Sequence, residues 1–288
     1  MKTKEILNII KRLFFVPQCV GCGERLSPIP ERITTNYGKV CFCKNCRNKW
    51  ECVKAEPCKI CSNTAEKCTC APTFFKDLQP NIPALCFYHS DPEDIQSKII
   101  YSIKHKNNRE LFEFMAYELI PSVTKTMLKM NISAEDCIFT WVPRTRAAIK
   151  KDGFDQGRML SLSLASCIGA EALPLFVRIG GKEQKKLDKK VRSKNTEKSV
   201  ALNELMKNIP KDKTAEHLSD FIKGKNVVIV DDVMTTGATL SHAAKLLKEA
   251  GANNTMVVCV AKTEARITVE IRTRPKALSY SAFGGVRP

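Results

Sequence analysis

The pattern of apolar and polar positions changes texture near residue 80. Beyond it, short continuous apolar runs alternate with stretches of helical period. "ALCFY" (84–88), "CIFTWV" (137–142), "LPLFVR" (173–178), Val227 to Val230 and "TMVVCVA" (255–261) read as strands. Asp91 and Pro92 supply an N-cap and a first helical position for a helix reaching about His105. A second helix starts near Arg109 and is expected to be disturbed by Pro121. A third runs from about Phe154 to Ile168, and a fourth from about Ala238 to Ala250, closing on Gly251. Continuously apolar strands separated by helices predict an α/β fold: a parallel sheet with helices on both faces and right-handed crossovers.

Upstream, "MKTKEILNIIKRLFF" places Ile6, Ile9, Ile10, Leu13 and Phe14 on one face of a short helix. The segment "APTFFKDLQPNIP" (71–83), with its three prolines, marks a boundary from Ala71 to about Ile82. The expected units are residues 1–75, residues 76–265 and a basic extension, residues 266–288, containing Pro275.

At 288 residues the chain has room for one sizeable core and a smaller module. No apolar run is long enough to span a bilayer, and Asn8, Lys11 and Arg12 interrupt the core that a signal peptide would need. No transmembrane segment is expected. The placement is cytoplasmic, with peripheral attachment at the inner face of the membrane as the other option.

A formal charge of +17 favours polyanionic partners: nucleic acid, anionic lipid or phosphorylated small molecules. Between Arg178 and Lys198, nine Lys or Arg stand against three acids. A flap over a multiply charged substrate and a plain solvated loop both suit that run.

Ten of the fourteen cysteines lie between Cys19 and Cys70. Without a secretory signal these thiols face a reducing compartment, so metal is favoured over disulfides. Cys19-x2-Cys22 is followed by Gly23, a residue free to take the positive φ of a metal knuckle. Cys43-x2-Cys46 and Cys58-x2-Cys61 repeat the spacing, and Cys68-x-Cys70 adds a last pair. Four close pairs match a small double zinc-ribbon domain with two structural Zn2+ sites, most simply Cys19, Cys22, Cys43, Cys46 and Cys58, Cys61, Cys68, Cys70. Cys41 and Cys52 leave an interleaved pairing open, and thiolates in fours also suit an iron–sulfur cluster. The histidines His89, His105, His217 and His242 show no metal or triad spacing. Trp50 and Trp141 are too isolated for a base-stacking platform.

The densest chemistry is "VVIVDDVMTTGAT" (227–239). A strand ending at Val230 would put Asp231 and Asp232 at the carboxyl end of the sheet, where open α/β folds bind ligands. Gly237 permits close approach, and Thr235, Thr236 and Thr239 offer hydroxyls. The turn's amides and the next helix's N-terminus form an anion cradle. So the loop suits a phosphate, and the carboxylates suit the hydroxyls of an attached ribose. A generic phosphate loop fits the same residues. Arg144 and Arg146, after Pro143, are candidate anion contacts, with two solvated arginines as the other reading.

The order Asp-Asp, two further residues, Thr-Thr-Gly-x-Thr resembles the 5-phosphoribosyl-1-pyrophosphate (PRPP) signature of type I phosphoribosyltransferases. Zinc-knuckle cysteines ahead of such a segment resemble the ComF family, associated with DNA uptake in competent bacteria. "IIYSIKHKNNRELFEFMA" (99–116) is similar to that family's helix with Lys104. "WVPRTRAAIKKDGFDQ" (141–156) is similar to its Val-Pro loop and Arg-Gly-Phe-Asn-Gln element. Gln184, Leu187, Arg192 and Asn195 match further spaced positions, so the likeness runs from Phe15 to about Thr263. Two positions depart: Asp152 stands where the family usually has Arg, with Lys150 and Lys151 beside it, and Asp155 where it has Asn.

The resemblance implies a type I phosphoribosyltransferase-like sheet and pentosyl transfer (glycosyltransferase chemistry) from PRPP with Mg2+. Asp231 and Asp232 would be the catalytic pair holding the ribose. Thr235, Thr236, Gly237, Ala238 and Thr239 would take the 5-phosphate, and Arg144 the pyrophosphate. It also implies a part in competence, DNA uptake and transformation, with single-stranded DNA and uptake-machinery proteins as partners. The alternative is a non-catalytic module that senses PRPP and binds single-stranded DNA or a partner protein. No segment reads as a base-recognising hood, so the acceptor is not written in these motifs.

Overall fold

A computed structural model describes residues 18–26, 41–179, 200–203 and 218–264. The N-terminal helix expected before Phe15, most of the basic run with Gln184, Leu187, Arg192 and Asn195, His217 and the tail from residue 266 lie outside the described residues. The strands are β1 (Cys86–Phe87), β2 (Cys137–Trp141), β3 (Glu171–Ala172), β4 (Phe176–Arg178), β5 (Val200–Leu202), β6 (Asn226–Met234) and β7 (Asn254–Lys262). The helices are α1 (Lys44–Lys54), α2 (Thr73–Lys76), α3 (Ile95–His105), α4 (Arg109–Lys129), α5 (Arg146–Asp152), α6 (Gln156–Ile168), α7 (Leu218–Ile222) and α8 (Ala238–Glu249).

Five strands pair in the order β1-β7-β6-β2-β3, all in parallel, with Ile138 opposite Val227 and Val227 opposite Thr255. Alternating side chains build two cores. Val228, Val230, Met256, Val258 and Val260 pack with apolar residues of α3, α4 and α6. Val227, Ile229, Val257 and Cys259 pack with those of α7 and α8 on the other face. The expected α/β sheet covered on both sides is what forms.

Several boundaries differ from expectation. The run 173–178 does not join the parallel sheet: β4 pairs antiparallel with β5 in a separate ribbon, and the sheet's edge is instead the short β3. Leu173 N–H donates to Phe139 O at 2.8 Å, but the next donor on that side, Leu175 N–H, turns to Leu173 O (3.0 Å) and Thr140 Oγ1 (3.3 Å), so the chain leaves the sheet there. The helix expected from Pro92 starts at Ile95, because Asp91 Oδ1 accepts Glu93 N–H (2.9 Å) in a local turn and Asp94 becomes the N-cap. Helix α4 runs unbroken through Pro121. The proline forfeits one backbone bond at a cost of roughly 3 kcal/mol, set against burial of Leu111, Phe112, Met115, Leu119 and Val123 along one helix. Most important for the site, β6 does not end at Val230 but continues to Met234, with Asp231 paired to Cys259 and Val233 to Ala261.

The proline-bearing segment 71–83 lies against β7. Phe75 and Ile82 are fully buried. The buried Gln79 amide donates to Val257 O and accepts Val257 N–H, and Pro83 O accepts Cys259 N–H. Gln79 thus satisfies backbone groups that the two-residue β1 is too short to reach. The cysteine segments flanking it divide between the faces: Cys19 and Cys46 belong to the core with α3 and α4, Cys58 and Cys68 to the core with α8.

Candidate functional site

Strands β2 and β6 are adjacent and parallel, but the chain leaves them in opposite directions, β2 toward β3 and β6 toward β7. Such a divergence opens a crevice at the carboxyl ends of the strands. Trp141 lies opposite Val230, so Arg144, three residues beyond Trp141, and the Asp231–Asp232 pair come to the same end of the sheet. After Met234 a short turn leads to Gly237, which has φ +74° and forms the N-cap of α8. Ala238 N–H donates to Thr236 Oγ1 at 3.4 Å. Thr235 and Thr236 are exposed, Ala238 and Thr239 half-buried, and Gly237 buried. Acid pair, hydroxyl turn and helix N-terminus are therefore contiguous.

The two carboxylates bend inward on their own backbone. Asp231 Oδ1 accepts Asp232 N–H and Asp232 Oδ1 accepts Val233 N–H, both at 2.9 Å. Burial, together with the neighbouring Asp232 carboxylate, pushes the Asp231 carboxyl well above the ordinary range, against the pull of Lys104. Asp232 Oδ2 is buried and accepts no hydrogen bond among the described residues.

Arg144 is differently placed from a freely available cation. Its guanidinium donates to Asp152 Oδ2 (2.7 Å) and Lys104 O (2.9 Å), while its backbone N–H donates to Asp155 Oδ2 (3.1 Å). His105 Nδ1 lies 3.2 Å from Asp152 Oδ1. His105 and Arg144 together hold the Asp152 carboxyl below its usual range. Asp152, where the resembled family has Arg, therefore engages Arg144 and His105. Asp155 Oδ1 caps α6, accepting Gly157 and Arg158 N–H. Arg146, Lys150 and Lys151 on α5 are exposed.

Lys104 was marked in the sequence only through the family's helix and without a role, and His105 was not legible as a site residue. Lys104 sits in the last turn of an amphipathic helix, where a cation is ordinary, and His105 has no telling spacing. Only packing of α3 against β6 and α5 reveals their partners, Asp232 for Lys104 and Asp152 for His105.

The cysteines fall into the two groups expected from their spacing. The sulfurs of Cys19, Cys22, Cys43 and Cys46 all lie within 4.8 Å of one another, as do those of Cys58, Cys61, Cys68 and Cys70. The interleaved pairing is thereby set aside. Cys22 and Cys43 sulfurs stand 3.7 Å apart, close to the edge of about 3.8 Å that a tetrahedron with Zn–S of about 2.3 Å requires. Each knuckle is closed by an isolated bridge, Gln18 with Arg25 and Pro57 with Thr64, and Gly23 has φ +76°.

Amides point at sulfur: Cys43 N–H at Cys19, Ile60 N–H at Cys58 and Cys70 N–H at Cys68. Burial opposes ionisation of Cys19, yet amides of Cys43, Cys22 and Gly21 outweigh it and hold its pKa down. The Asn63 amide lowers Cys61 to about 6. Burial raises Cys43, Cys46, Cys68 and Cys70 instead, so four thiolates together would need a cation between them. Cys41 and Cys52 belong to neither group.

A phosphoribosyl transferase domain model matches residues 167–277. A stretch of 44 residues is 54% identical to adenine phosphoribosyltransferase of Mycolicibacterium smegmatis, but it covers 15% of this chain and only 24% of that enzyme. Over 167 residues the chain is 26% identical to DNA utilization protein YhgH of Salmonella typhimurium, covering 58% of this chain and 67% of that protein. Over 248 residues it is 22% identical to competence protein ComFC of Streptococcus pneumoniae, covering 82% of this chain and 96% of that one. Among solved structures, an adenine phosphoribosyltransferase aligns with a TM-score of 0.34 at 20% identity, over 67% of this chain and 91% of that chain.

Proposed function

We propose that this ComF-type chain, which carries a phosphoribosyl transferase domain, binds PRPP and transfers its phosphoribosyl group. The observation that carries the reading is the continuity of Asp231 and Asp232 with the Thr235–Thr239 turn and the N-terminus of α8. On this reading the turn takes the 5-phosphate through amides and hydroxyls, and the two carboxylates take the ribose hydroxyls. Asp232 Oδ2, with no hydrogen bond of its own, is a ready acceptor.

In transfer, the bond from ribose C1 to the pyrophosphate oxygen breaks with its electron pair leaving on pyrophosphate. A nucleophile then bonds to C1 and gives up its proton. Negative charge at Asp231 and Asp232 stabilises the oxocarbenium character that develops at C1. The acid pair also suits Mg2+, a hard cation that takes carboxylate oxygens and, when bound, neutralises phosphate charge. Arg144 contacts pyrophosphate once it exchanges Asp152 for the ligand.

The test is to incubate the protein with labelled PRPP, Mg2+ and pooled nucleobases or amines. Pyrophosphate release that Asp231→Asn with Asp232→Asn abolishes supports transfer. Binding that depends on these aspartates without turnover supports the sensing module instead.

A role in DNA uptake is supported by the likeness to a competence protein and a DNA utilization protein and by the charge of +17. Single-stranded DNA and uptake-machinery proteins are the partners in that reading. Affinity for single-stranded DNA should fall steeply with salt if lysines and arginines contact its phosphates, and a flat dependence would count against it. The two cysteine centres are read as structural zinc, since four thiolates leave no open position for substrate.

A further inference from the structure

The Thr235–Thr239 turn is held from outside by residues that also hold the Cys58–Cys70 group. Thr263 N–H donates to Met234 O at 2.9 Å, and Thr263 Oγ1 donates to Thr235 O at 2.7 Å. The residues either side of Thr263 reach the cysteines. Lys262, 2% exposed, donates from Nζ to Cys68 O (3.1 Å) and Ile82 O (3.2 Å). Glu264 Oε1 accepts Lys59 N–H (3.0 Å), inside the Cys58-x2-Cys61 knuckle, and its Oε2 pairs with Lys59 Nζ at 3.0 Å. Three consecutive residues thus alternate between the turn and the knuckle.

A second link is steric. The Phe75 ring lies where a Cβ on Gly237 would come within 2.6 Å, and α2, which carries Phe75, begins three residues after Cys70. Phe75 is fully buried, with Phe74 edge-on at 5.5 Å.

The Cys19–Cys46 group is anchored elsewhere. Gly21 abuts Ile95 of α3 and Cys46. The helix that carries Cys46, α1, is fastened by Arg47, Trp50 and Lys54 to Glu118 of α4, on the opposite face of the sheet.

We propose that the Cys58–Cys70 centre is the support that sets the shape of the phosphate turn, with Glu264, Thr263 and Phe75 as positioning residues. A metal held by the four sulfurs would fix the Lys59 amide. That amide fixes Glu264, and the strand end then delivers Thr263 to Thr235. Groups one shell away from a metal orient what lies beyond it, and a close-packed interior transmits such displacements. The inference rests on the proposed PRPP reading only for the identity of the turn's ligand.

The test is hydrogen–deuterium exchange of the full-length, metal-loaded protein, followed at residues 234–239. Glu264→Ala is expected to speed exchange there about tenfold, the effect of losing one anchoring contact to local opening. Glu264→Gln, whose amide oxygen still accepts the Lys59 N–H, should stay within about twofold of wild type. Cys61→Ser, with zinc content lowered by one, should reproduce Glu264→Ala, whereas Cys22→Ser should leave the turn as in wild type. Unchanged exchange in Glu264→Ala overturns the proposal, and so does an equal rise in Cys22→Ser. If Cys61→Ser fails to fold, the Glu264 pair decides. Calorimetry with PRPP on wild type separates the two readings: absence of binding sinks the ligand assignment and leaves the exchange result to judge the support.

Discussion

Lys104 Nζ, at the end of α3, lies 3.7 Å from Oδ2 of Asp232 on β6. That oxygen is buried and accepts no hydrogen bond among the described residues. Leaving such an acceptor unsatisfied costs about 1–3 kcal/mol, and a ligand hydroxyl would recover it. Beside it, burial and the Asp232 carboxylate oppose ionisation of Asp231. The acid pair is thus a source of instability in the free protein.

Asp231→Asn should stabilise the fold at neutral pH while removing sugar-phosphate binding. The folded carboxyl titrates above its ordinary value of 3.8. The folded state therefore holds the extra proton in that window, and stability falls as pH rises through it. Above the raised value the penalty is complete. Thermal unfolding at neutral pH should show a raised midpoint for the variant, and the gain should vanish as pH falls below about 4, the ordinary carboxylate range. A variant with the wild-type profile would refute the charge repulsion.

Asp152→Asn should release Arg144 and His105 from a full negative charge. Inorganic pyrophosphate should then bind several-fold tighter by calorimetry at low salt, the advantage shrinking as salt screens the charges. Unaltered affinity would mean that Arg144 does not meet the ligand.

Gly237→Ala should destabilise by about 1–3 kcal/mol through left-handed backbone strain. The added Cβ at 2.6 Å from Phe75 compounds that strain. Denaturant unfolding measures the loss. Pairing it with Phe75→Leu should restore only part, because the φ of +74° remains.

Elemental analysis should find two zinc per chain, one for each sulfur group. Cys22→Ser and Cys61→Ser should each lose one, and chelation should lower the unfolding temperature. An iron-containing, coloured protein would overturn the assignment.

Much of the fold was legible because its signals are local. Val227–Val230 and the run 255–261 are strands because β-branched residues fill both faces of a buried sheet. The misses have physical causes. β3 is only the two residues Glu171 and Ala172, too short to show a pattern. The ladder with β2 ends where Leu175 N–H turns to Leu173 O and Thr140 Oγ1, a choice that depends on β2. β6 carries its two acids inside the strand because β7 pairs with it past Val230, and no property of Asp-Asp announces such pairing.

By itself the sequence determined the four cysteine pairs, the acid pair followed by the threonine-glycine turn, and the alternation of strands and helices. Each is set by spacing along a few residues, and backbone geometry converts spacing directly into shape. Tertiary structure alone decided that Lys104 faces Asp232, that Asp152 occupies Arg144 and His105, and that Lys262 and Glu264 reach the second cysteine group while Thr263 holds Thr235. Those partners are brought together by the order of strands and the packing of helices on them. A charged side chain carries no mark of what lies across a sheet until the sheet has formed.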